Sequence, residues 1–294
     1  GLATGEYQVE VLGKDSNAIW QEEPTISQSW TVTTALPPVV RINELVADSS
    51  TGVDWVEFYN GGSAAFDLSG FMISDDPTGT MGTSLPLGTE VPAKGYLKVD
   101  LGVDFSLDRD GESFFLFNGG MLVDSVEFGS QLTDHSLSRL GSEGEWGLGL
   151  PPPSAANESV GVGDARLIKI NEWTANSGIV ICEDFVELYN PGNSPVDLGG
   201  VYLSENPGGE VAQFAIPALT FVDGGGFLVL DFAMSSDSRH VALYTDELEE
   251  IDLVAFTSQV EDTSYVRLPD GSGNISVAIL PTPGQSNGSS EGTI

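Results

Sequence analysis

Basic residues are scarce in this chain. Ten Lys and Arg stand against 44 Asp and Glu in 294 residues, a formal net charge of −34. Nucleic acid and anionic membrane surfaces are held through cations on phosphate, so neither is an expected partner. A field of this sign keeps a chain soluble and draws cations. A charged, salt-tolerant surface is the plain reading and a set of Ca²⁺ sites the sharper one. Cysteine is rarer still: Cys182 stands alone, which rules out an internal disulfide. It sits in the apolar run Ile179-Val180-Ile181-Cys182, where a buried small side chain is expected rather than a reactive thiol. No apolar run approaches the roughly 18–20 residues that span a bilayer, so membrane insertion is not expected. With no initiating Met and no signal peptide, the chain reads as a mature product or an excised piece of something larger.

Several chemistries lack their residues. The two histidines, His135 and His240, lie near neither a Cys nor each other, which argues against zinc. There is no phosphate-cradling glycine loop. No window sustains a helical period.

What is present is a repeat. Ile42-Asn43-Glu44, Asp54-Trp55-Val56-Glu57-Phe58-Tyr59-Asn60 and Asp67-Leu68-Ser69-Gly70 recur in order. The second copy reads Ile170-Asn171-Glu172, Asp184-Phe185-Val186-Glu187-Leu188-Tyr189-Asn190 and Asp197-Leu198-Gly199-Gly200. Further on, Val123-Asp124-Ser125-Val126 matches Ile251-Asp252-Leu253-Val254, and Ser136-Leu137-Ser138-Arg139-Leu140 matches Ser264-Tyr265-Val266-Arg267-Leu268. The endings agree too, Leu150-Pro151-Pro152-Pro153-Ser154 beside Leu280-Pro281-Thr282-Pro283-Gly284. One folding unit has been duplicated, so whatever one copy does, two do side by side.

Each copy is a series of short runs rich in β-branched and aromatic residues, broken by Gly, Asp, Asn and Pro. In the first, strands are expected at 40–46, 55–59, 71–73, 96–99, 113–117, 122–128 and 136–140. The fold class is therefore all-β: two β-sandwiches in tandem plus an N-terminal strand pair. Residues 1–38 supply that pair, from the alternation at Tyr7–Val11 and Ser29–Thr33, followed by a stiff Pro37-Pro38 joint. The first repeat covers 39–158, a hinge 159–164, the second repeat 165–287, and a tail of linker composition 288–294.

Candidate sites are few. Glu44 with Glu57, and Glu172 with Glu187, recur on strands. Catalysis would need them spaced around a cleft as acid and base. The framework reading is that they tie off backbone N–H groups or pair with Arg139 or Arg267. Asp104, Asp108, Asp110 and Glu112 form an acidic cluster around Gly111 and are the metal candidates. Read as an EF-hand from Ser106, its twelfth position is Phe117 where Glu is required, so a solvated loop is the plainer reading. Trp146 and Tyr202 would suit a carbohydrate platform, or core and inter-sheet packing.

The recurring residues resemble the lamin-tail domain in its bacterial extracellular form. That pattern runs from the Ile-Asn-Glu strand through the aromatic-Val-Glu strand and Asp-Leu-Ser-Gly turn. It closes, best in the second copy, with Tyr265-Val266-Arg267-Leu268-Pro269-Asp270-Gly271 and Pro281-Thr282-Pro283-Gly284. The first copy departs there, with Leu137 in place of the aromatic and Gly141-Ser142 in place of Pro-Asp. Residues 1–38 are similar to the last strands of a fibronectin-III or immunoglobulin-like domain. The resemblance implies immunoglobulin-like sandwiches and a non-catalytic structural or binding module of an extracellular or cell-surface protein. Spacing, adhesion or assembly, including a filament or sheath subunit, is the implied role, with a protein or cell-surface partner or self-assembly. No enzyme activity and no cofactor are expected, Ca²⁺ being the open alternative. The rival reading is a Ca²⁺-dependent or carbohydrate-binding accessory domain of a secreted enzyme.

Overall fold

A computed structural model describes residues 5–14, 20–27, 29–32, 39–102, 105–141, 144–151, 154–175, 184–235 and 237–289. Asp104, Ser142, Pro152, Cys182 and the Pro37-Pro38 joint lie outside the described residues. The chain forms two compact units, Gly1–Val39 and Val40–Ile294.

The first unit is an antiparallel ribbon. Gly5–Tyr7 pairs with Trp30–Val32 and Glu10–Val11 with Thr25–Ile26. The first expected strand, Tyr7–Val11, is broken at residues 8 and 9, the second is present as Trp30–Val32, and Thr25–Ile26 is an additional strand. At the break Ser27 Oγ accepts from Val9 N while Ser27 N donates to Val9 O. Val9, Val11 and Ile26 stay exposed, because two strands have no second layer on which to bury a face.

The second unit holds two sandwiches of the same plan. In the first, a six-stranded sheet runs in the order Tyr96–Asp100, Trp55–Asn60, Val40–Val46, Ser136–Leu140, Glu145–Leu150, Glu158–Ser159. Its partner has the order Met121–Phe128, Glu112–Asn118, Met72–Ser74, Thr83–Ser84. In the second, the sheets are Phe227–Asp231, Phe185–Tyr189, Lys169–Thr174, Ser264–Arg267, Ile275–Ala278, and Phe214–Ala215, Tyr202–Ser204, His240–Tyr244, Glu250–Ala255. Among the described residues all pairings are antiparallel, so period-two patterns bury one face of each sheet. Ile42, Leu45, Phe58, Phe114 and Leu116 fill the first core, and Ile170, Trp173, Leu188, Val241 and Leu243 the second.

Two local features depart from the expected strands. The strand Glu145–Leu150 carries Gly147 and Gly149, which hide it from β propensity. A Cβ at Gly149 would come within 2.4 Å of Ser138 Oγ, so the close approach of the strands requires glycine. The Ile-Asn-Glu motif is also not a plain strand. Its register slips between Ile42 and Glu44, and again between Ile170 and Glu172. Asn43 and Asn171 are thus the extra residues of a β-bulge made twice.

Residues 159–164 are tied at both ends. Val160 N donates to Leu148 O, Gly163 N to Pro195 O, and Asp164 caps the 3₁₀ turn Ala165–Leu167 through Arg166 N. The sandwiches also meet directly. Gly129 N donates to Ala218 O, Phe221 N to Ser130 O, and Gln131 Nε2 to Leu219 O. Phe221, from the second sandwich, is buried in the core cluster of the first.

Candidate functional site

Each bulge aims its asparagine at a buried glutamate. Asn43 Nδ2 donates to Glu57 Oε1 at 3.0 Å and Asn171 Nδ2 to Glu187 Oε1 at 2.9 Å. The second oxygen of each glutamate takes a main-chain N–H from the end of its repeat, Ser154 for Glu57 and Gly284 for Glu187. Those ends are clamped again by Asn157 Nδ2, which donates to Asn43 O and Arg139 O, and by Asn287 Nδ2, which donates to Asn171 O and Arg267 O. A polar residue inside a sandwich is thus satisfied by the chain segment that closes it.

The other glutamate of each pair differs between copies. Glu172 accepts from Ser264 Oγ, from Thr282 N at 3.1 Å and from Thr282 Oγ1 at 3.1 Å. Glu44 Oε1 accepts from Ser136 Oγ at 2.6 Å and Ser138 Oγ at 3.1 Å, while its Oε2 is buried with no partner among the described residues. In the sequence Pro152 stands where the second copy has Thr282, and proline offers neither N–H nor hydroxyl. Burial pushes the Glu44 carboxyl up to about 7, against the pull of the two serines. Burial likewise pushes Glu187 up to about 8 and raises Glu57 and Glu172. All four glutamates have 0% exposure. A general acid or base must reach its substrate, and these reach only the protein.

The expected pairing of these glutamates with Arg139 and Arg267 does not occur. Arg139 Nη2 instead meets Asp124 Oδ1 at 3.0 Å, and Arg267 Nη2 meets Asp252 Oδ2 at 3.0 Å. Each arginine also donates through Nε to a bulge carbonyl, Ile42 O or Ile170 O, and each aspartate accepts the N–H of that same residue. The glutamates face the closing segment from inside the sandwich, whereas the arginine bridges to the strand of the facing sheet. The recurrence of Asp124 and Asp252 at one place in both copies was the available signal. Trp146 packs half-buried against the first core with the Arg139 guanidinium carbon 4.5 Å from its ring, and Tyr202 lies half-buried in a strand. Neither forms an open platform.

The described members of the acidic cluster, Asp108, Asp110 and Glu112, do not converge. Asp108 Oδ1 accepts from Asp110 N, and Asp108 N donates to Glu112 Oε1 at 2.6 Å. Burial pushes Glu112 up to about 7, opposed by that N–H and reinforced by Asp75, Asp108 and Asp54. Asp110 lies 3.7 Å from Arg109 Nε. Among the described residues, no three His, Cys, Asp or Glu side chains are grouped to hold a metal. His135 rests on Thr133 O and His240 begins an exposed strand end. Asp76, held well below the usual carboxylate range by Thr78, Thr80 and Met81, pins its own loop.

An all-β double sandwich whose recurring polar side chains are spent on its own backbone has the build of a structural or binding module. Residues 33–130 match the Lamin Tail Domain family, an immunoglobulin-like fold of that kind. Neither curated proteins nor solved structures give a match to the chain.

Proposed function

We propose that the chain is a tandem pair of lamin-tail domains serving a bacterial extracellular or cell-surface protein in spacing, adhesion or assembly, without catalysis. One observation carries this reading: the polar residues common to both copies, from Asn43 and Glu57 to Asn171 and Glu187, all close their own sandwich. Duplication has therefore preserved a frame and not a reagent. The direct contact through Phe221 makes the pair a spacer of defined geometry. The net charge of −34 suits a solvated, salt-exposed surface. The apolar ribbon at residues 5–32, with Val9, Val11 and Ile26 exposed, is the part that would seek a neighbour in a filament or sheath. Light scattering and electron microscopy on the purified chain test the assembly reading. Oligomers or fibres that disappear when residues 1–39 are removed support it. A strictly monomeric chain with no affinity for a cell surface overturns it, and turnover of a substrate overturns the non-catalytic part.

A further inference from the structure

The two sandwiches treat one edge differently. Tyr96–Asp100 and Phe227–Asp231 are equivalent terminal strands of their sheets, paired on one side with Trp55–Asn60 and Phe185–Tyr189. Among the described residues no strand pairs with the other side of either. An antiparallel strand directs alternate N–H and C=O groups away from its neighbour, so a terminal strand is a template for another strand. The first sandwich carries Lys98 at the centre of its edge, paired with Asp100 and 5.2 Å from the Trp55 ring. A charged side chain at that place is a common way to discourage strand addition. The second sandwich has Val229 there, 37% exposed, within the run Phe227-Leu228-Val229-Leu230-Asp231.

That unguarded edge opens onto a groove between the two sandwiches. It lines a cavity of about 690 Å³, walled by Phe214, Pro217 and Thr220 from its own sandwich and by Arg109, Asp110 and Ser130 from the other. A smaller hollow of about 210 Å³ shares Asp110, Gly129 and Pro217 with it and adds Glu112 and Glu127. The charges around the two are therefore Asp110, Glu127 and Asp231 against Arg109, with Glu112 joining them as pH rises through about 7. Arg109 is already spent on Asp48 at 2.8 Å.

We propose that Phe227–Asp231 is a docking strand, and that it accepts by strand addition an extended polypeptide segment with an apolar middle and flanking lysines or arginines. The main-chain ladder supplies affinity over the length of the strand, roughly 17 Å at 3.4 Å per residue. The apolar walls take alternate side chains, and the acidic rim selects the basic flanks. The first sandwich, with Lys98 in place, takes no such segment.

The test uses the full chain and a short synthetic peptide that alternates valine and threonine between terminal lysine pairs, with a glutamate-flanked peptide as its counterpart. Calorimetry measures binding and amide exchange maps it. Val229→Lys copies the residue that the equivalent strand already tolerates, so the fold is kept. The lysine-flanked peptide is expected to bind, to slow exchange at residues 227–231 and not at 96–100, and to weaken with salt. V229K is expected to cost about tenfold or more in affinity, since the ammonium blocks pairing at the edge. Absence of binding, binding untouched by V229K, or equal binding of the glutamate-flanked peptide each overturns the proposal. A dimer of the free chain that V229K dissolves assigns the edge to a second copy and overturns it likewise.

Discussion

The main-chain N–H of Phe221 donates to Ser130 O at 2.8 Å, which joins the second sandwich to the first, and the Phe221 ring is 2% exposed inside the first core. The contact is particular to this pair of loops. In the first sandwich Glu90 holds the place of Phe221, and nearby Leu87 is 95% exposed. In the second, Thr257 holds the place of Gly129, where a Cβ would fall 1.9 Å from Thr220 Oγ1. Both ends of the same contact are therefore closed to repetition.

Phe221→Ala should cost about 3–5 kcal/mol, the usual loss for a buried phenylalanine. Phe221→Glu should do more, because it buries an unpaired carboxylate. Gly129→Ala should act on the same contact from the other side. Scanning calorimetry reads the effect: the parent chain is expected to melt the two sandwiches together and the variants to separate them into two transitions. A single transition at the parent temperature in F221E would refute the coupling.

Asp124 and Asp252 hold the other repeated junction. Asp124→Ala leaves the Arg139 guanidinium, 18% exposed, without its anion and Ile42 N without its acceptor. Breaking a mostly buried pair from one side costs about 3–5 kcal/mol. Asp252→Ala should cost at least as much, since Arg267 and Asp252 are 9% and 11% exposed. Asp→Asn at either place keeps an acceptor for the bulge N–H and should lose less. Urea unfolding measures all four, and losses below about 1 kcal/mol for both alanine variants would contradict the assignment.

Much of this frame was legible in the sequence. The β-branched content of Val40–Val46 and the recurrence of Ser136–Leu140 place those strands with the bounds at which they occur. The repeat located the residues that both glutamate networks share, Asn43, Glu44, Glu57 and Ser136 with Asn171, Glu172, Glu187 and Ser264, because duplication preserved them twice. What escaped were features that depend on two sheets being face to face. The Arg139–Asp124 pair spans the sandwich, and strand-by-strand reading has no term for it. The bulge at Asn43 breaks the period of two on which strand reading rests. The Phe221 contact falls where the copies differ, so a search for recurrence passes over it.

The buried glutamates make stability depend on pH in a defined direction. Glu44 and Glu187 titrate near 7 and 8 in the folded chain against 4.5 for the free side chain. Between pH 4.5 and those values the folded state holds more protons than the unfolded one, so stability falls as pH rises. The stability is whole below pH 4.5 and is lost by about pH 7 for Glu44 and about pH 8 for Glu187. At about 1.4 kcal/mol per unit, Glu44 alone accounts for roughly 3 kcal/mol. General repulsion among the surface acids slopes the same way, so Glu44→Gln is the discriminating variant. It should flatten the curve of unfolding free energy between pH 5 and 7 while leaving the part nearer pH 8. An unchanged slope in E44Q would show that Glu44 is ionised throughout.

Calcium should leave the chain's stability where it is. A ligand that selects the folded state adds RT ln(1 + [L]/Kd), about 1.4 kcal/mol at tenfold excess over Kd, or roughly 3–5 °C in a domain of this size. Extracellular Ca²⁺ modules have Kd values of about 10⁻⁴–10⁻³ M, so millimolar metal reveals them. Here Asp108 and Glu112 are occupied by N–H groups of their own loop, and Asp110 leans on Arg109. Ca²⁺ needs six or more oxygens, and gathering them would mean breaking those bonds first. The expected melting shift at millimolar Ca²⁺ is therefore none. A shift of several degrees that Asp108→Asn and Asp110→Asn abolish would restore the cluster as a metal site and place the loop, not the frame, at the centre of function.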